Sequence, residues 1–329
     1  MNTADTPQYD VLIVGGGPAG LSAALVLARC RRSVLVIDEG KPRNAKAKAM
    51  HGFLSRDGEN PAEFMRIARE QVKAYQSVDF LDSEVVAAER GEERFCIRTS
   101  AGAEHTGRIL LLATGIEDEV PPLQGIQQFY GSTVQLCPYC HGWEHRDRSI
   151  IVYGKGKEGA EFALEMLGWS RKLVLCTDGE TDIPQELRDR LARLEIPVEE
   201  EKIIALEGEG DEIRGVRFES SRFLPCEALF FYSRQKQCSM LADQLGLHFD
   251  EEGTQIAHCD TTSNIPGLYV AGNTCTGLQL VIMAAADGTQ AAFKINQALL
   301  EGDTERAHQA LERAEPVPEP NTIMTPATP

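Results

Sequence analysis

The sequence has no long uninterrupted hydrophobic run. Its apolar stretches, such as residues 109–113, are far shorter than the roughly 20 residues that a membrane-spanning helix needs. The N-terminus, MNTADTPQYD, also lacks a basic segment followed by an apolar stretch, which would mark a secretory signal. We therefore expect no transmembrane segment and a cytoplasmic location.

Positive charge is scarce. The 329 residues include 33 Lys and Arg against 50 Asp and Glu, so the formal net charge is −17. Such a surface repels phosphate backbones and anionic lipids, and neither nucleic acid nor membrane is expected as a partner. The 42% hydrophobic and 25% charged content is typical of a soluble globular protein, and the length predicts two domains.

Closely spaced cysteines are also few. Of nine cysteines, only Cys137 and Cys140 form a close pair. The other seven are scattered among apolar neighbours without a pairing pattern, as expected of reduced buried thiols. They are Cys30, Cys96, Cys176, Cys226, Cys238, Cys259 and Cys275.

Two segments have the order strand, glycine turn, helix, strand, which is typical of a parallel βαβ unit. The first comprises residues 10–14, 21–29 and 33–37, and the second begins at Ser149 and ends at Cys176. A helix near 61–75, a β-rich stretch at 78–100, a strand at 109–113 and a long helix at about 278–300 complete the pattern, with an acidic turn at 250–253. The charged, then Pro- and Thr-rich tail predicts disorder. The alternative is a segment that folds over the active site or a partner.

Gly15, Gly17 and Gly20 form a G-x-G-x-x-G motif between the first strand and its helix, and Asp38 follows the second strand. The glycines permit a tight turn, close approach of a pyrophosphate and helix–strand packing, while the acid can bind a ribose. A steric need for glycine in the turn is the alternative. This motif does not distinguish FAD from NAD.

Cys137-Pro-Tyr-Cys140 is a C-x-x-C pair, which in a cytosolic protein indicates redox chemistry or half of a zinc site. Zinc requires two further ligands, and although His141 and His145 are nearby, their spacing is not convincing. Thiol–disulfide exchange requires two sulfur atoms within bonding reach, which a two-residue spacer at a helix start provides. Inert structural thiols are the third interpretation.

His141 directly follows the pair and is placed to carry a proton to or from a thiol. The alternative is a surface histidine in a turn. Glu144 and His145 are weaker supporting candidates.

Taken together, these motifs, with Ala-Thr-Gly at 113–115 and GLYVAGN at 267–273, resemble in order and spacing the low-molecular-weight thioredoxin reductase family. The resemblance covers nearly all of residues 8–300. It implies an α/β fold of two Rossmann-like dinucleotide-binding domains, the second inserted into the first. The FAD-binding domain would comprise 1–116 and 247–302, the NAD(P)-type domain carrying the C-x-x-C 117–246, and the tail 303–329.

The resemblance implies FAD as cofactor, a homodimer, rotation of the domains about two short linkers, and Cys140 as the cysteine nearer the flavin. Catalysis would involve Cys137, Cys140 and His141. The implied FAD contacts are Gly15, Gly17, Gly20, Asp38, Thr114, Gly115, Gly272, Asn273 and Gln279, with Arg43, Asn44 and His51 in a loop flanking the flavin.

The chain departs from the family pattern at three places. His141 replaces an aspartate, so the group that would act as the acid has a pKa nearer to neutral pH. Asn273 replaces an aspartate that holds the flavin ribityl chain. The second glycine motif (154, 156, 159) is kept, but Asp178 lies where basic residues would grip the NADPH 2′-phosphate. Asp178 could hold an NADH ribose, or the glycines could be inherited fold geometry.

The sequence CPYCHGWE also resembles a subgroup that includes gliotoxin-type dithiol oxidases and thioredoxin reductases independent of pyridine nucleotides. The leading hypothesis is therefore an FAD-dependent enzyme that reduces a thioredoxin-like disulfide with electrons from NADH, NADPH or a protein donor. The second is an oxidase that passes electrons from a small or protein dithiol to oxygen. The third is a flavin-bound redox sensor without turnover.

Overall fold

The computed structural model describes residues 8–179, 182–247, 261–275 and 277–313. The acidic turn expected at 250–253, Cys259 and residues 314–329 lie outside this part of the chain. The strands are β1 (Gln8–Val14), β2 (Val34–Asp38), β3 (Val78–Asp82), β4 (Val85–Arg90), β5 (Phe95–Thr99), β6 (Glu104–Leu112), β7 (Ile116–Asp118), β8 (Val134–Gln135), β9 (Ser149–Tyr153), β10 (Lys172–Cys176), β11 (Val198–Glu199), β12 (Ile203–Glu209), β13 (Glu212–Phe218), β14 (Phe223–Pro225), β15 (Ala228–Phe231), β16 (Gln235–Gln237) and β17 (Leu268–Val270).

The α-helices are α1 (Pro18–Arg29), α2 (Pro61–Lys73), α3 (Ile126–Phe129), α4 (Pro138–His141), α5 (Gly156–Glu165), α6 (Gln185–Arg193), α7 (Leu241–Gln244) and α8 (Val281–Arg313). Short 3₁₀ turns follow α5 and β17, at Met166–Gly168 and Gly272–Thr274. None of the described helices is both long and apolar enough to span a bilayer.

A seven-stranded sheet carries the first βαβ unit. Its order is β3-β2-β1-β6-β5-β4, and β17 pairs with β6. β1 runs parallel to β2 and β6, and residues 11–14 are buried. Val11 and Ile13 share a core with α1 and α8, and Leu12 and Val14 share one with β4, β5 and α7. Helix α1 begins with Pro18, which is compatible with the first helical position. The glycine loop therefore lies at the carboxyl end of a central strand.

A five-stranded sheet, β11-β10-β9-β15-β8, carries the second βαβ unit. All its pairings are parallel, and β9, α5 and β10 follow in chain order. Strands β12, β13 and β14 add a small antiparallel sheet. In the sequence these strands lie between β6 and β17, which belong to the first sheet. We call the first sheet with its helices and loops the first unit, and the five-stranded and small antiparallel sheets with theirs the second unit.

Two short segments connect the sheets, and they pair with each other. β7 leaves the first sheet, β16 returns to it, and the two run antiparallel with Asp118 opposite Gln235. We call this pair of strands the linker ribbon.

Helix α8 is longer than the sequence predicted. It continues to Arg313, whereas the pattern placed its end near Leu300 and assigned residues from 303 onward to a disordered tail. Asp303 lies just beyond the predicted end of the helix, and its carboxylate binds Arg32 at 2.6 Å and Arg108 at 2.8 Å. These arginines hold the pKa of Asp303 down at about 2, although its burial opposes them. These ion pairs attach α8 to the first sheet at Asp303, whereas residues 304–312 are exposed.

The prediction that the seven scattered cysteines are reduced buried thiols was partly wrong. Cys275 is disulfide-bonded, and the free thiols of Cys30 and Cys238 are exposed. Cys176 and Cys226 are buried and free, as expected. Burial raises the pKa of both thiols, that of Cys226 to about 12, which keeps them protonated at neutral pH.

Candidate functional site

The first glycine loop is packed tightly at two of its three glycines and open at the third. A Cβ atom on Gly15 would lie 2.2 Å from the carbonyl oxygen of Ala113, and one on Gly20 would lie 1.9 Å from that of Gly15. At Gly17, no heavy atom of the described residues lies within 4 Å of the Cβ position. The turn therefore needs Gly15 and Gly20 for its own packing, whereas Gly17 leaves space for a ligand.

That space continues into a cavity of about 830 Å³, within the usual range for a cofactor site. Pro18 and Ala19, in the first turn of α1, line it, and this helix end has no side-chain cap. Uncapped N–H groups at a helix N-terminus attract a phosphate. Asp38 lines the same cavity, and its Oδ1 accepts a hydrogen bond from the Gly16 N–H at 2.9 Å. These features fit the diphosphate and ribose of a dinucleotide.

Most residues that the sequence nominated line this one cavity. Gly20 is not among them, because it packs against Gly15 instead. The nominated residues that do line it are Gly15, Gly17, Asp38, Arg43, Asn44, His51, Thr114, Gly115, Cys137, Cys140, His141, Gly272, Asn273 and Gln279.

The C-x-x-C pair lies at the start of helix α4. Cys137 is the N-cap of α4, and the N–H of Cys140 lies 3.1 Å from its Sγ. The two residues form a disulfide with a Cα–Cα distance of 5.2 Å. Because both line the cavity that begins at the first glycine loop, an oxidant or reductant in the cavity can reach the disulfide directly.

His141, the last residue of α4, also lines the cavity. Burial lowers its pKa, and a hydrogen bond to the backbone of Ala49 opposes this effect. Its Nε2 atom is buried and has no hydrogen-bond partner among the described residues. A neutral imidazole with a free nitrogen can accept a proton from a thiol.

A second histidine, His51, lies beside His141 and contacts two carboxylates. The rings of His51 and His141 are 6.1 Å apart and nearly perpendicular. His51 Nε2 lies 3.6 Å from Glu144 Oε1, and its Nδ1 lies 3.4 Å from Asp57 Oδ1. The side chain of Asp57 is 67% exposed, so this group of polar side chains extends from the cavity to solvent.

His145 is part of the protein core and does not line the cavity. It is 6% exposed, its Nε2 lies 3.2 Å from the carbonyl oxygen of Ser132, and its ring packs edge-on against Phe230. Within the described residues, no group of three or more His, Cys, Asp or Glu side chains is arranged to hold a metal ion.

The second glycine loop packs as tightly as the first but does not line the large cavity. A Cβ on Gly154 would lie 2.8 Å from Gly159 Cα, so these glycines serve strand–helix packing. The Asp178 carboxylate accepts the Ile203 N–H at 3.1 Å and lies 3.7 Å from Lys155 Nζ. These contacts hold Asp178 within its own unit, and the large cavity does not include this loop.

Sequence reasoning missed several residues of the cavity wall. Asp118 of the linker ribbon, Tyr130, Gln135 and Cys238 all line it, yet they lie outside any motif. Burial, with a contribution from the charge of Asp118, raises the pKa of Tyr130 to about 12, so its phenol remains a donor. The only signal for Asp118 was its place just after Ala-Thr-Gly.

Two βαβ units and a disulfide in the wall of a dinucleotide cavity are typical of a dinucleotide-dependent disulfide oxidoreductase. The chain matches the pyridine nucleotide-disulphide oxidoreductase family over residues 9–288. It belongs to that family, whose thioredoxin reductase-like members bind FAD. The predicted fold class, the assignment as an FAD-dependent disulfide oxidoreductase and the FAD cofactor are thereby confirmed.

Individual relatives are named thioredoxin reductases or resemble this chain in structure. The chain is 31% identical over 305 residues to "Thioredoxin reductase tcpT" of Claviceps purpurea, covering 88% of this chain and 94% of that one. The solved structure of HlmI is 34% identical, with a TM-score of 0.89 over 93% of this chain and 97% of that one. A putative thioredoxin reductase TrxB from Bacillus anthracis is 32% identical, with a TM-score of 0.84 over 90% and 99%.

Proposed function

We propose that this enzyme passes electrons between FAD, the Cys137–Cys140 pair and a thiol or disulfide substrate. The substrate would be a thioredoxin-like protein or a small dithiol. One observation carries the proposal: the disulfide and the first glycine loop share one continuous cavity. Bound FAD supplies a two-electron acceptor and donor for the cysteine pair.

The exchange itself uses the chain's own residues. A substrate thiolate attacks Cys137 Sγ, a substrate–Cys137 bond forms, and the bond to Cys140 breaks. The second substrate thiol then displaces Cys137, so the substrate leaves as a disulfide and the enzyme holds two reduced cysteines. Reduction of a substrate disulfide follows the reverse sequence.

His141 would move the protons that these steps require. Its lowered pKa keeps the ring neutral at pH 7, so it can take a proton from an incoming thiol and return it to a departing thiolate. Glu144, His51 and Asp57 would connect that proton with solvent.

NADPH is not the reductant in this proposal. Asp178 lies where the family's basic residues would bind the 2′-phosphate, and its carboxylate accepts the Ile203 N–H. Glu199 and Glu200, whose backbone pairs with residues 177–179, are themselves ion-paired with Arg222 and Arg188. The Asp178 carboxylate would repel a phosphate at this place. NADH or a protein electron donor would then supply the flavin.

The acidic Asp178 at the second nucleotide site also favours a second candidate, a dithiol oxidase that passes electrons from a small or protein dithiol to oxygen. Such an enzyme needs no second nucleotide, so the loop at 154–159 would keep its glycines for packing alone. The CPYCHG sequence and His141 support this candidate, and with them we place the chain in the CPYCHG subgroup.

Exposed aromatic side chains beside the disulfide suit a protein or an apolar small substrate. Tyr139 is 69% exposed and packs edge-on against Trp169. Trp143 is 67% exposed, and the Arg146 guanidinium lies over its ring. Solvent-exposed aromatic groups of this kind are enriched at binding surfaces.

The proposed organisation follows the family. The FAD-binding domain comprises 1–116 and 247–302, the NAD(P)-type domain 117–246, and two such chains form a homodimer. The strand connectivity supports this division, because β7 and β16 connect the two sheets.

An anaerobic titration of the FAD-loaded enzyme tests the proposal. Flavin absorbance is followed while NADPH, NADH or a dithiol is added separately. We expect bleaching by the dithiol and none by NADPH. Bleaching by NADPH would refute the nucleotide assignment, and no bleaching by any dithiol would refute the thiol–disulfide function. Oxygen uptake with dithiol alone would select the oxidase.

A further inference from the structure

The two faces of the linker ribbon carry different side chains. Asp118 and Gln235, directly opposite each other, face the loops that line the cavity. Glu117 and Lys236, the next pair along the ribbon, point to the other face. They form an ion pair of 3.2 Å there and are 63% and 60% exposed. Only the face that carries Asp118 and Gln235 is placed to bind the loops of the first sheet.

Arg43, from the loop after β2, forms a two-point ion pair with Asp118. Arg43 Nε lies 2.6 Å from Asp118 Oδ2, and Nη2 lies 2.5 Å from Oδ1. The Asp118 side chain is only 4% exposed. Burying a charge pair is costly unless further hydrogen bonds satisfy it, and Gln235 Nε2 donates one to Asp118 Oδ1 at 3.2 Å.

Gln279, just before α8, completes the network. Its Oε1 accepts from Arg43 Nη1 at 2.7 Å and from Gln235 Nε2 at 2.8 Å. Its Nε2 donates to Gln235 Oε1 at 2.6 Å. Two residues of the first unit, Arg43 and Gln279, are thereby bound to both strands of the linker ribbon.

The loop that carries Arg43 makes further contacts with the second unit. Lys48 pairs with Asp211, and the carbonyl oxygen of Lys46 lies 2.2 Å from where a Gly131 Cβ would be. His51 reaches Glu144 in the segment after the C-x-x-C helix. Rotation of the second unit about the linker ribbon would break all of these contacts together with the network.

We infer that Arg43, Asp118, Gln235 and Gln279 form a linker latch that holds the Cys137–Cys140 disulfide in the wall of the flavin cavity. Asp118 and Gln235 are positioning residues that act through the orientation of the second unit. The existence of the latch is independent of the proposed function. Its effect on catalysis rests on that function, because the enzyme would turn over thiol substrates only in this arrangement of the two units.

The test compares Asp118→Asn and Gln235→Leu with a matched control, Glu117→Gln, which removes the exposed ion pair of the same ribbon. Hydrogen–deuterium exchange is measured over residues 45–59 in the full-length protein, with and without FAD. In both latch variants we expect exchange there to become about tenfold faster, a population change equivalent to roughly 1.4 kcal/mol. The control should exchange at the wild-type rate.

A second readout uses the FAD-loaded enzyme reduced by a dithiol. If Cys140 is held against the flavin, the long-wavelength absorbance of the thiolate–flavin contact should fall in both latch variants while the FAD content stays unchanged. A purely local structural role would lower the melting temperature and leave this absorbance as in wild type.

Unchanged exchange and absorbance in Gln235→Leu would overturn the latch. If Asp118→Asn does not fold, Gln235→Leu alone decides, because it introduces no unpaired charge. Failure of the wild-type enzyme to react with any dithiol would refute the proposed function, while the exchange measurements would still decide whether the latch exists.

Discussion

His51 and Glu144 meet across the two units, with His51 Nε2 3.6 Å from Glu144 Oε1. His51 lies in the loop after β2, and Glu144 lies three residues beyond His141. Their charges act on His141 with opposite sign, because Glu144 raises its pKa and His51 lowers it. The proton chemistry at the disulfide therefore depends on residues from both units.

Variants of this pair should move the pH–rate profile in opposite directions. If His141 acts as a base, turnover falls as pH drops through its pKa. Glu144→Gln lowers that pKa further, so the acid limb should move to lower pH. His51→Gln should move it to higher pH. Dithiol oxidation rates from pH 5 to 8 measure this, and a common direction of movement would contradict the assignment.

Loss of His141 should slow thiol exchange. His141→Asn keeps a polar side chain but removes the base, and we expect the rate of disulfide reduction by a dithiol to fall on the order of 10²-fold. His105→Asn is the matched control, because His105 is also half-buried with a pKa lowered by burial but lies on β6, outside the cavity lining. Equal rates in both variants would leave His141 without a catalytic role.

Both cysteines of the pair should be essential. Cys137→Ser and Cys140→Ser each leave one thiol, so no disulfide can be regenerated, and turnover should fall by roughly 10³-fold or more. Cys30→Ser, which changes an exposed free thiol, should behave as wild type. Steady-state assays with a dithiol and with a thioredoxin-like disulfide provide the comparison. Turnover that survives in Cys140→Ser would refute the exchange sequence.

Two glycines of the first loop should respond differently to alanine. The Cβ of Gly17→Ala meets no atom of the described residues within 4 Å, so the apoprotein should melt as wild type. Its affinity for FAD should fall, because the new methyl group occupies the ligand's space. Gly20→Ala would place its Cβ 1.9 Å from the Gly15 carbonyl oxygen and should destabilise the fold itself. Thermal melts with FAD titration separate the effects; unaltered FAD affinity in Gly17→Ala would count against this site.

The protein should lose stability as pH falls below about 6.5, the ordinary histidine value. Burial lowers the pKa of both His141 and His145 in the folded state, so the unfolded chain binds more protons in this range. Their contribution is complete above the unfolded pKa and is lost as pH falls through the folded one. Melting temperatures between pH 8 and 5 measure it, and His145→Gln should flatten the dependence. A melting temperature that rises on acidification would reverse the sign.

Local sequence was sufficient for the parts of the site that are contiguous in the chain. Gly15 and Gly20 pack against neighbouring backbone where a buried strand turns into a helix, so sterics alone require glycine at these two positions. The Cys137–Cys140 spacing likewise permits a disulfide at a helix start without knowledge of the rest of the fold. The order of the two βαβ units follows from the same short-range patterns.

Other features depend on residues far apart in the sequence. Asp118 and Gln235 are 117 positions apart, and Arg43 lies 236 positions from Gln279; no local pattern marks them as neighbours. The ion pairs of Asp303 with Arg32 and Arg108 also join segments that are distant in the sequence. Sequence alone determined the turn and the disulfide, because steric and covalent constraints act over a few residues. The tertiary structure decided which charges are buried together, because burial depends on packing between distant segments.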